Sequence, residues 1–164
     1  MTTALIKQAS KVIKKIQYLN IASITKDGKP WNTPVYCAYD TELNFYWISW
    51  KENQHSKNIK NNSSVFVTIY DSSVPAGTGF GVYFQGKAKE LSNPKELLIG
   101  LSSVYGREKR KPKDIINFIK KLPRRVYRFT PESVWVNGDS EIDGHFIDVR
   151  TQLELSELQN IFKK

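Results

Sequence analysis

The sequence has little of the machinery that most enzymes use for acid–base, nucleophilic or metal chemistry. Its 164 residues include one cysteine, Cys37, and two histidines, His55 and His145. A single cysteine excludes an intrachain disulfide and a cysteine-based zinc site, and it is typical of a reducing compartment, so we expect a cytoplasmic protein. The sequence contains no helical pair of metal-binding histidines, phosphate-binding loop, dinucleotide-binding glycine motif or nucleophile elbow. Such a chain is either a binding module or a protein whose cofactor supplies the chemistry.

Long hydrophobic runs are also missing. No stretch reaches the ~20 apolar residues that a membrane-spanning helix needs, so we expect no membrane partner. Apolar residues near the amino terminus recur at helical spacing between lysines, which predicts an amphipathic helix over about residues 3–17 rather than a signal peptide. The length is typical of one domain, and the chain has neither repeats nor a low-complexity linker. We therefore expect a single domain over residues 1–164.

Positive charge is abundant and unevenly placed. The formal net charge is +9, and basic residues concentrate between residues 107 and 113 and again between residues 120 and 125. Such a surface attracts nucleic acid, acidic lipid or a phosphorylated small molecule, although a solvated face that aids solubility is the commoner explanation. No nucleic-acid-binding motif accompanies the charge, so nucleic acid is not an expected partner.

Beyond residue 18 the pattern changes to runs of β-branched and aromatic residues, which predict strands. These runs cover residues 19–26, 29–39, 45–50, 64–71, 80–91, 125–129, 133–137 and 145–150. Helices are predicted over residues 55–61, 94–105 and 113–121 and after residue 156. Asp27-Gly28 predicts a two-residue hairpin turn, and Pro30 and Pro34 predict that part of the second strand lies at a sheet edge or carries a bulge. The order predicts a mainly β fold, a Greek-key-like β-barrel with peripheral α-helices.

One stretch carries polar groups that are suited to binding an anion. Ser49 lies near the predicted end of the third strand, and His55, Ser56 and Lys57 lie at the start of the helix that follows. Free backbone N–H groups at a helix N-terminus attract anions, and serine and lysine side chains add donors and charge. In the alternative interpretation, Ser56 only caps the helix and Lys57 lies on a solvated face.

The order and spacing of these segments resemble the pyridoxamine 5′-phosphate oxidase-like family of split-barrel flavoproteins. The resemblance covers about residues 12–137 and rests on four features. They are the Asp27-Gly28 hairpin with its proline-containing second strand, a W-x-S…H-S-x-N-I pattern from Trp47 to Ile59, a strand ending in Q-G-K-A, and a late hairpin ending at Trp135. The resemblance implies a six- or seven-stranded split barrel that binds FMN, in a homodimer with two equivalent sites.

The resemblance also implies which residues contact the cofactor. They are Trp31, Asn32, Thr33, Pro34, Val35, Ser49, His55, Ser56, Lys57, Gln85 and Trp135. Residues 32–35 match the segment along the isoalloxazine ring and ribityl chain, and residues 49 and 55–57 match the positions around the phosphate. Trp135 matches a residue that approaches the flavin from the other subunit. The oxidase has a glutamine at the position of Gly81, and strand alternation puts Gln85 on the same face, so Gln85 is expected to make that contact.

The implied activity is hydride transfer through N5 of the flavin, with no side chain acting as catalyst and an unidentified small molecule as substrate or redox partner. Residues 144–150 lack the arginine–histidine signature with which pyridoxamine 5′-phosphate oxidases hold their substrate, so efficient pyridoxal phosphate synthesis is not expected. His145 is expected to be a partly buried structural residue. The alternatives are the deazaflavin F420 as cofactor, a non-catalytic flavin, haem or pyridoxal phosphate carrier in stress sensing, and a basic nucleic-acid-associated protein.

Overall fold

A computed structural model describes residues 2–111, 118 and 123–163 of the chain. Its helices are α1 (Thr2–Lys15), α2 (Gln54–Asn61), α3 (Pro94–Arg107) and α4 (Leu155–Asn160). Its strands are β1 (Tyr18–Ile24), β2 (Pro30–Tyr36), β3 (Ala38–Tyr39), β4 (Phe45–Trp50), β5 (Ser64–Tyr70), β6 (Gly81–Glu90), β7 (Arg124–Ile142) and β8 (His145–Leu153). Apart from residue 118, the helix predicted over residues 113–121 lies outside the described residues, as do the basic residues at 113, 120 and 121.

The strands form one antiparallel sheet in the order β2-β1-β5-β6-β7-β4-β3, with β8 paired to β7. The sheet curls into a half-barrel with the helices at its periphery, which confirms the predicted mainly β split barrel. Within the described ranges the sheet holds eight strands, more than the expected six or seven. Because β2 and β3 end the sheet, the barrel stays open between β2 and the β3–β4 pair.

The core lies inside the curl of the sheet. Strands β1 and β5 alternate buried and outward-facing residues, which is the pattern of a strand with one covered face. Helix α1 covers the core with its apolar side chains, and Trp47 is fully buried and stacked on Tyr127 with ring centroids 5.5 Å apart. A second apolar cluster lies between α3 and β4. This packing holds β4, and with it the start of α2, against the barrel.

Strand β2 is an edge strand, because it pairs with β1 only. This confirms the prediction from Pro30 and Pro34, which lack the N–H needed to donate on both sides of a strand. The turn before β2 differs from the prediction. The Gly28 N–H donates to the Thr25 carbonyl at 2.9 Å, and only Gly28 has a positive φ, of 82°. The loop therefore has three residues, with glycine in the left-handed region, and is not a two-residue turn.

Two predicted strand boundaries were wrong. Strand β7 continues through Thr130 and Pro131, where the sequence predicts a break between two strands. The sheet accommodates Pro131 through a register shift at Gln85/Gly86 in β6, where the backbones approach so closely that a Cβ on Gly86 would lie 2.2 Å from the Thr130 carbonyl oxygen. The segment predicted as one strand over residues 29–39 is divided between β2 and β3.

Candidate functional site

A cavity of about 390 Å³ occupies the opening of the barrel. Its walls are edge strand β2, the end of β4, the start of α2, and the region around the C-terminus of α3. The lining residues are Thr33, Pro34, Val35, Tyr36, Ile48, Ser49, Trp50, Asn53, His55, Val104, Tyr105, Glu108, Arg110 and Arg124. Cofactor sites commonly have this size and lie in such concave openings.

Ser49 and His55 form a buried polar pair at one end of this cavity. The Ser49 Oγ and the His55 Nε2 are 2.8 Å apart, and the Asn53 side-chain amide donates to the same Oγ at 3.1 Å. Burial lowers the pKa of His55 below its ordinary value, so the imidazole is neutral at pH 7. The pair therefore supplies fixed hydrogen-bonding groups to the cavity and no charge.

The N-terminus of α2 lies beside this pair. Asn53 precedes the helix in an extended conformation, and its side chain donates to Ser49 and does not cap the helix. The first backbone bond of the helix runs from the Lys57 N–H to the Asn53 carbonyl at 3.0 Å. The amide groups of residues 54–56 are thus the first-turn donors that a helix leaves without internal partners. Such donors, with the positive end of the helix dipole, favour an anion.

Two arginines that no sequence motif assigned to a site also line the cavity. Arg110 follows α3 and pairs with Glu108 at 3.3 Å. Arg124 begins β7 opposite Trp50, and its guanidinium has no ion-pair or hydrogen-bond partner among the residues that the structure describes. The basic clusters around residues 107–113 and 120–125 were the only sequence signal for these arginines. Pairing of β7 with β4 places Arg124 opposite Trp50, the residue that follows Ser49, and so brings it to the wall of the cavity.

The structure brings together five of the residues predicted to bind the cofactor, namely Thr33, Pro34, Val35, Ser49 and His55. Ser56 and Lys57, predicted to join them, lie on the other side of α2 and line a different cavity. The Ser56 hydroxyl donates to the Trp50 carbonyl at 2.8 Å, and the Lys57 ammonium pairs with Glu52 at 3.4 Å.

Asn32, Gln85 and Trp135 lie on the outer face of the sheet. Asn32 and Gln85 belong to one row of cross-strand neighbours that runs through Ala22 and Phe66. Trp135 stacks on Phe66, with ring centroids 6.3 Å apart and an interplanar angle of 25°. These side chains do not line the cavity of their own chain.

Three further positions considered in the sequence, Trp31, Gly81 and His145, do not line the cavity. Trp31 is 45% exposed, and its indole N–H donates to the Thr33 hydroxyl at 2.9 Å. A larger residue at Gly81 would displace the Tyr83 side chain, because a Cβ there would lie 2.5 Å from the Tyr83 hydroxyl. The expectation that His145 is partly buried was wrong: it is exposed, since it begins β8 directly after the β7–β8 turn at Asp143-Gly144.

The described part of the chain contains no helix that is long and apolar enough to cross a bilayer. Within the same residues, no three histidine, cysteine, aspartate or glutamate side chains are grouped as metal ligands would be.

Comparison with known sequences identifies related proteins. Residues 5–138 match the sequence profile of the family described as pyridoxamine 5′-phosphate oxidase. UPF0306 protein PM1958 from Pasteurella multocida (strain Pm70) is 31% identical over 86 residues, which are 52% of this chain and 57% of that protein. The match therefore spans little more than half the length of this relative.

Solved structures share the fold at low sequence identity. A haem-binding protein from Mycobacterium smegmatis superposes with a TM-score of 0.67 at 13% identity, over 95% of this chain and 60% of that one. An FAD-binding protein from Mesorhizobium loti superposes with a TM-score of 0.60 at 19% identity, over 79% of this chain and 91% of that one. At such identities the likeness establishes the architecture alone.

Proposed function

Because this chain belongs to the pyridoxamine 5′-phosphate oxidase family, we propose that it is a flavoprotein that binds FMN in the 390 Å³ cavity and transfers hydride to or from a small molecule. One observation carries the proposal. Ser49, the uncapped N-terminus of α2 and Arg124, whose guanidinium has no partner among the described residues, all line this one cavity. Together they offer several hydrogen-bond donors and one positive charge, which is what a single phosphate group needs.

The phosphate end fits FMN in its chemistry. A flavin phosphate is a dianion with three exposed oxygens, and it needs several donors and at least one cation. The first-turn amides of α2, the Ser49 hydroxyl and the Arg124 guanidinium are of the required kind. His55 stays neutral and is hydrogen-bonded to Ser49, so its role is to hold that hydroxyl in place.

The other end of the cavity fits the flavin ring. Strand β2 pairs along one edge only, so the backbone groups of its second edge are available to the alternating N–H and C=O groups of the isoalloxazine ring. Thr33, Pro34 and Val35 present this edge to the cavity. When bound, the flavin supplies the hydride chemistry at N5, and the protein supplies binding, orientation and exclusion of water.

A second copy of the chain would complete the site in this proposal. The outer face of the sheet exposes the aromatic residues Tyr18, Phe66 and Tyr70, at 57%, 40% and 47% of their surface. A sheet face with several exposed aromatic residues is typical of a protein interface, and the same face on two copies can form a two-fold dimer. In such a homodimer, Gln85 and Trp135, which do not reach the cavity of their own chain, are the residues that the partner contributes.

The proposed substrate is not pyridoxamine phosphate. Residues 144–150, which lack the arginine–histidine signature of the oxidases, run from the β7–β8 turn into β8, and His145 is exposed beside that turn. Without fixed groups to hold the substrate against N5, a misplacement of about 1 Å costs roughly 10²-fold in rate. We expect slow or absent formation of pyridoxal phosphate in a steady-state assay with oxygen, together with reduction of the bound flavin by another donor. Robust turnover would contradict this.

The absorption spectrum of the freshly purified protein tests the cofactor. We expect the two visible-region bands of a flavin, and mass spectrometry of the acid-released cofactor should identify FMN rather than F420. A Soret band would show bound haem and would contradict the proposal of FMN. A protein that is colourless as purified and stays colourless after incubation with FMN and desalting would refute it.

A further inference from the structure

A larger groove, of about 800 Å³, lies on the side of α2 opposite the proposed flavin cavity. It runs between α2, the end of β6 and the start of β7. Its floor consists of Ile59, Ala88 and Tyr127, each no more than 4% exposed. Among the described residues, the linings of the groove and of the flavin cavity have no member in common. The groove is therefore a separate concavity with an apolar floor.

The rim of the groove carries more positive than negative charge. The cations on it are Lys51, Lys57, Lys60, Lys89 and Arg125, and the carboxylates are Glu52 and Glu90. Ion pairs join Lys57 to Glu52 at 3.4 Å, Lys89 to Glu96 at 3.0 Å and Arg125 to Glu90 at 3.2 Å. Both side chains of the Lys57–Glu52 pair are exposed, and exposed pairs of this kind contribute little to stability, so an anionic ligand can replace that carboxylate at little cost.

Two of these cations are available without breaking any pair. Lys51 and Lys60 are exposed, and neither has an ion-pair partner among the residues that the structure describes. Lys51 precedes α2 and Lys60 lies near its end, so both ends of the groove carry a free ammonium group. A ligand lying along the groove can therefore place anionic groups against either lysine.

Tyr127 closes the floor of the groove with a fixed aromatic ring that is 1% exposed. Its ring stacks on the buried Trp47 at an interplanar angle of 14°, which holds its orientation. Burial raises the pKa of Tyr127 to about 12, so the phenol keeps its proton at neutral pH and remains a donor. This hydroxyl lies 3.4 Å from a Glu90 carboxylate oxygen, which is a long contact.

We propose that this groove is a second ligand site, which takes a small molecule with phosphate groups on a flat or apolar body of nucleotide size. The apolar floor suits the body, the rim lysines suit the phosphates, and the volume is within the range of small-molecule pockets. A single-stranded RNA would instead need a basic track with several aromatic platforms along it. The inference does not depend on flavin binding, since it rests on other residues.

Calorimetric titration of the FMN-loaded protein with ADP tests the proposal, with adenosine as the ligand without phosphate. The test variant is the double substitution Lys51→Ala with Lys60→Ala. The matched control is Lys11→Ala with Lys26→Ala, which removes the same charge from exposed lysines outside both cavities. Loss of the two groove lysines should weaken ADP about tenfold or more, the worth of a charge-assisted hydrogen bond, whereas the control pair should change it less than about twofold.

Several results would support or overturn the inference. Adenosine binding at least about tenfold weaker than ADP binding, with an unchanged FMN content in all variants, would support it. Equal weakening of ADP binding in both double variants would indicate diffuse electrostatic attraction and would overturn the inference of a site. Failure of both ADP and inorganic pyrophosphate to bind would overturn it, as would displacement of FMN by ADP. Binding of a uridine oligonucleotide that depends on the groove lysines, without binding of ADP, would assign the groove to RNA. If the protein takes up no FMN, the titration on the flavin-free protein still decides the groove.

Discussion

Removal of the Arg124 side chain should separate the binding of a flavin phosphate from the binding of the flavin ring. Arg124 begins β7, faces the end of β4, and lines the cavity without a partner of its own among the described residues. Arg124→Ala should therefore remove a cation from the phosphate end and leave the β2 edge, where the ring is proposed to lie, unchanged.

The magnitude follows from the exposure of this side chain. A hydrogen bond to a charged group is worth about 1.5–3 kcal/mol when it is shielded from water. Arg124 is exposed, so solvent screening places the effect at the lower end, about 1.5 kcal/mol or roughly tenfold in Kd for FMN. The loss should shrink as ionic strength rises. Riboflavin, which has the ring but no phosphate, should change less than about twofold.

Lys57→Ala provides the decisive comparison. The sequence pattern assigns Lys57 to the phosphate and predicts that its removal weakens FMN by ~1–3 kcal/mol. The structure places Lys57 on the opposite side of α2, paired with Glu52, so on structural grounds this variant should bind FMN as the unsubstituted chain does. Arg124→Lys, which keeps a charge but loses the planar fork, should fall between Arg124→Ala and the unsubstituted chain.

Quenching of flavin fluorescence during titration measures the dissociation constants of both ligands for every variant, and a thermal melt checks that each variant is folded. Equal weakening of FMN and riboflavin by Arg124→Ala would refute the assignment, because Arg124 would then support the cavity and not the phosphate. Selective weakening of FMN by Lys57→Ala, without an effect of Arg124→Ala, would move the phosphate to the other side of α2.

Three further predictions concern stability, reactivity and assembly. Burial lowers the pKa of His55, so the unfolded chain binds the extra proton at a higher pH than the folded protein does. The free energy of unfolding should therefore be steady above pH 6.5 and fall as the pH drops below it. Urea titrations of His55→Gln should show a smaller fall over the same pH range, and an equal fall would contradict the assignment to His55. Burial raises the pKa of the Cys37 thiol to about 12, so a disulfide reagent should react with it only in urea, and rapid reaction of the native protein would contradict the burial. Phe66→Asp on the outer sheet face should shift the light-scattering mass from dimer to monomer and release the flavin, whereas a flavin-loaded dimer would place the interface elsewhere.

Local patterns in the sequence were enough for most of the secondary structure. Runs of β-branched and aromatic residues gave the positions of β1 and β5, because such side chains suit a strand with one face covered by the core. Pro30 and Pro34 identified β2 as an edge strand, because a residue without an N–H cannot pair on both sides. Ser49 and His55 were predicted together and do meet, since only a short segment separates them along the chain. Features that depend on residues close together in the sequence could thus be predicted from the sequence alone.

Features that depend on contacts between residues far apart in the sequence could not be predicted from it. Strand β7 passes through Pro131 because β6 provides the compensating irregularity at Gly86, far away in the chain. Arg124 reaches the cavity only because β7 pairs with β4, and a cluster of basic residues does not indicate which of them does so.

The rotation of α2 is the clearest case, and it decides which predicted residues can share a site. Asn58 bonds to the Ser23 hydroxyl of β1 at 2.9 Å, and Ile59 is buried in the core. These contacts turn His55 toward one cavity and Lys57 toward the other. Because successive residues of a helix point about 100° apart, the residues named by one motif diverge as soon as packing fixes the helix face. The sequence by itself determined that polar residues of a kind suited to an anion stand at the start of α2, and tertiary packing alone decided which of them face the same space.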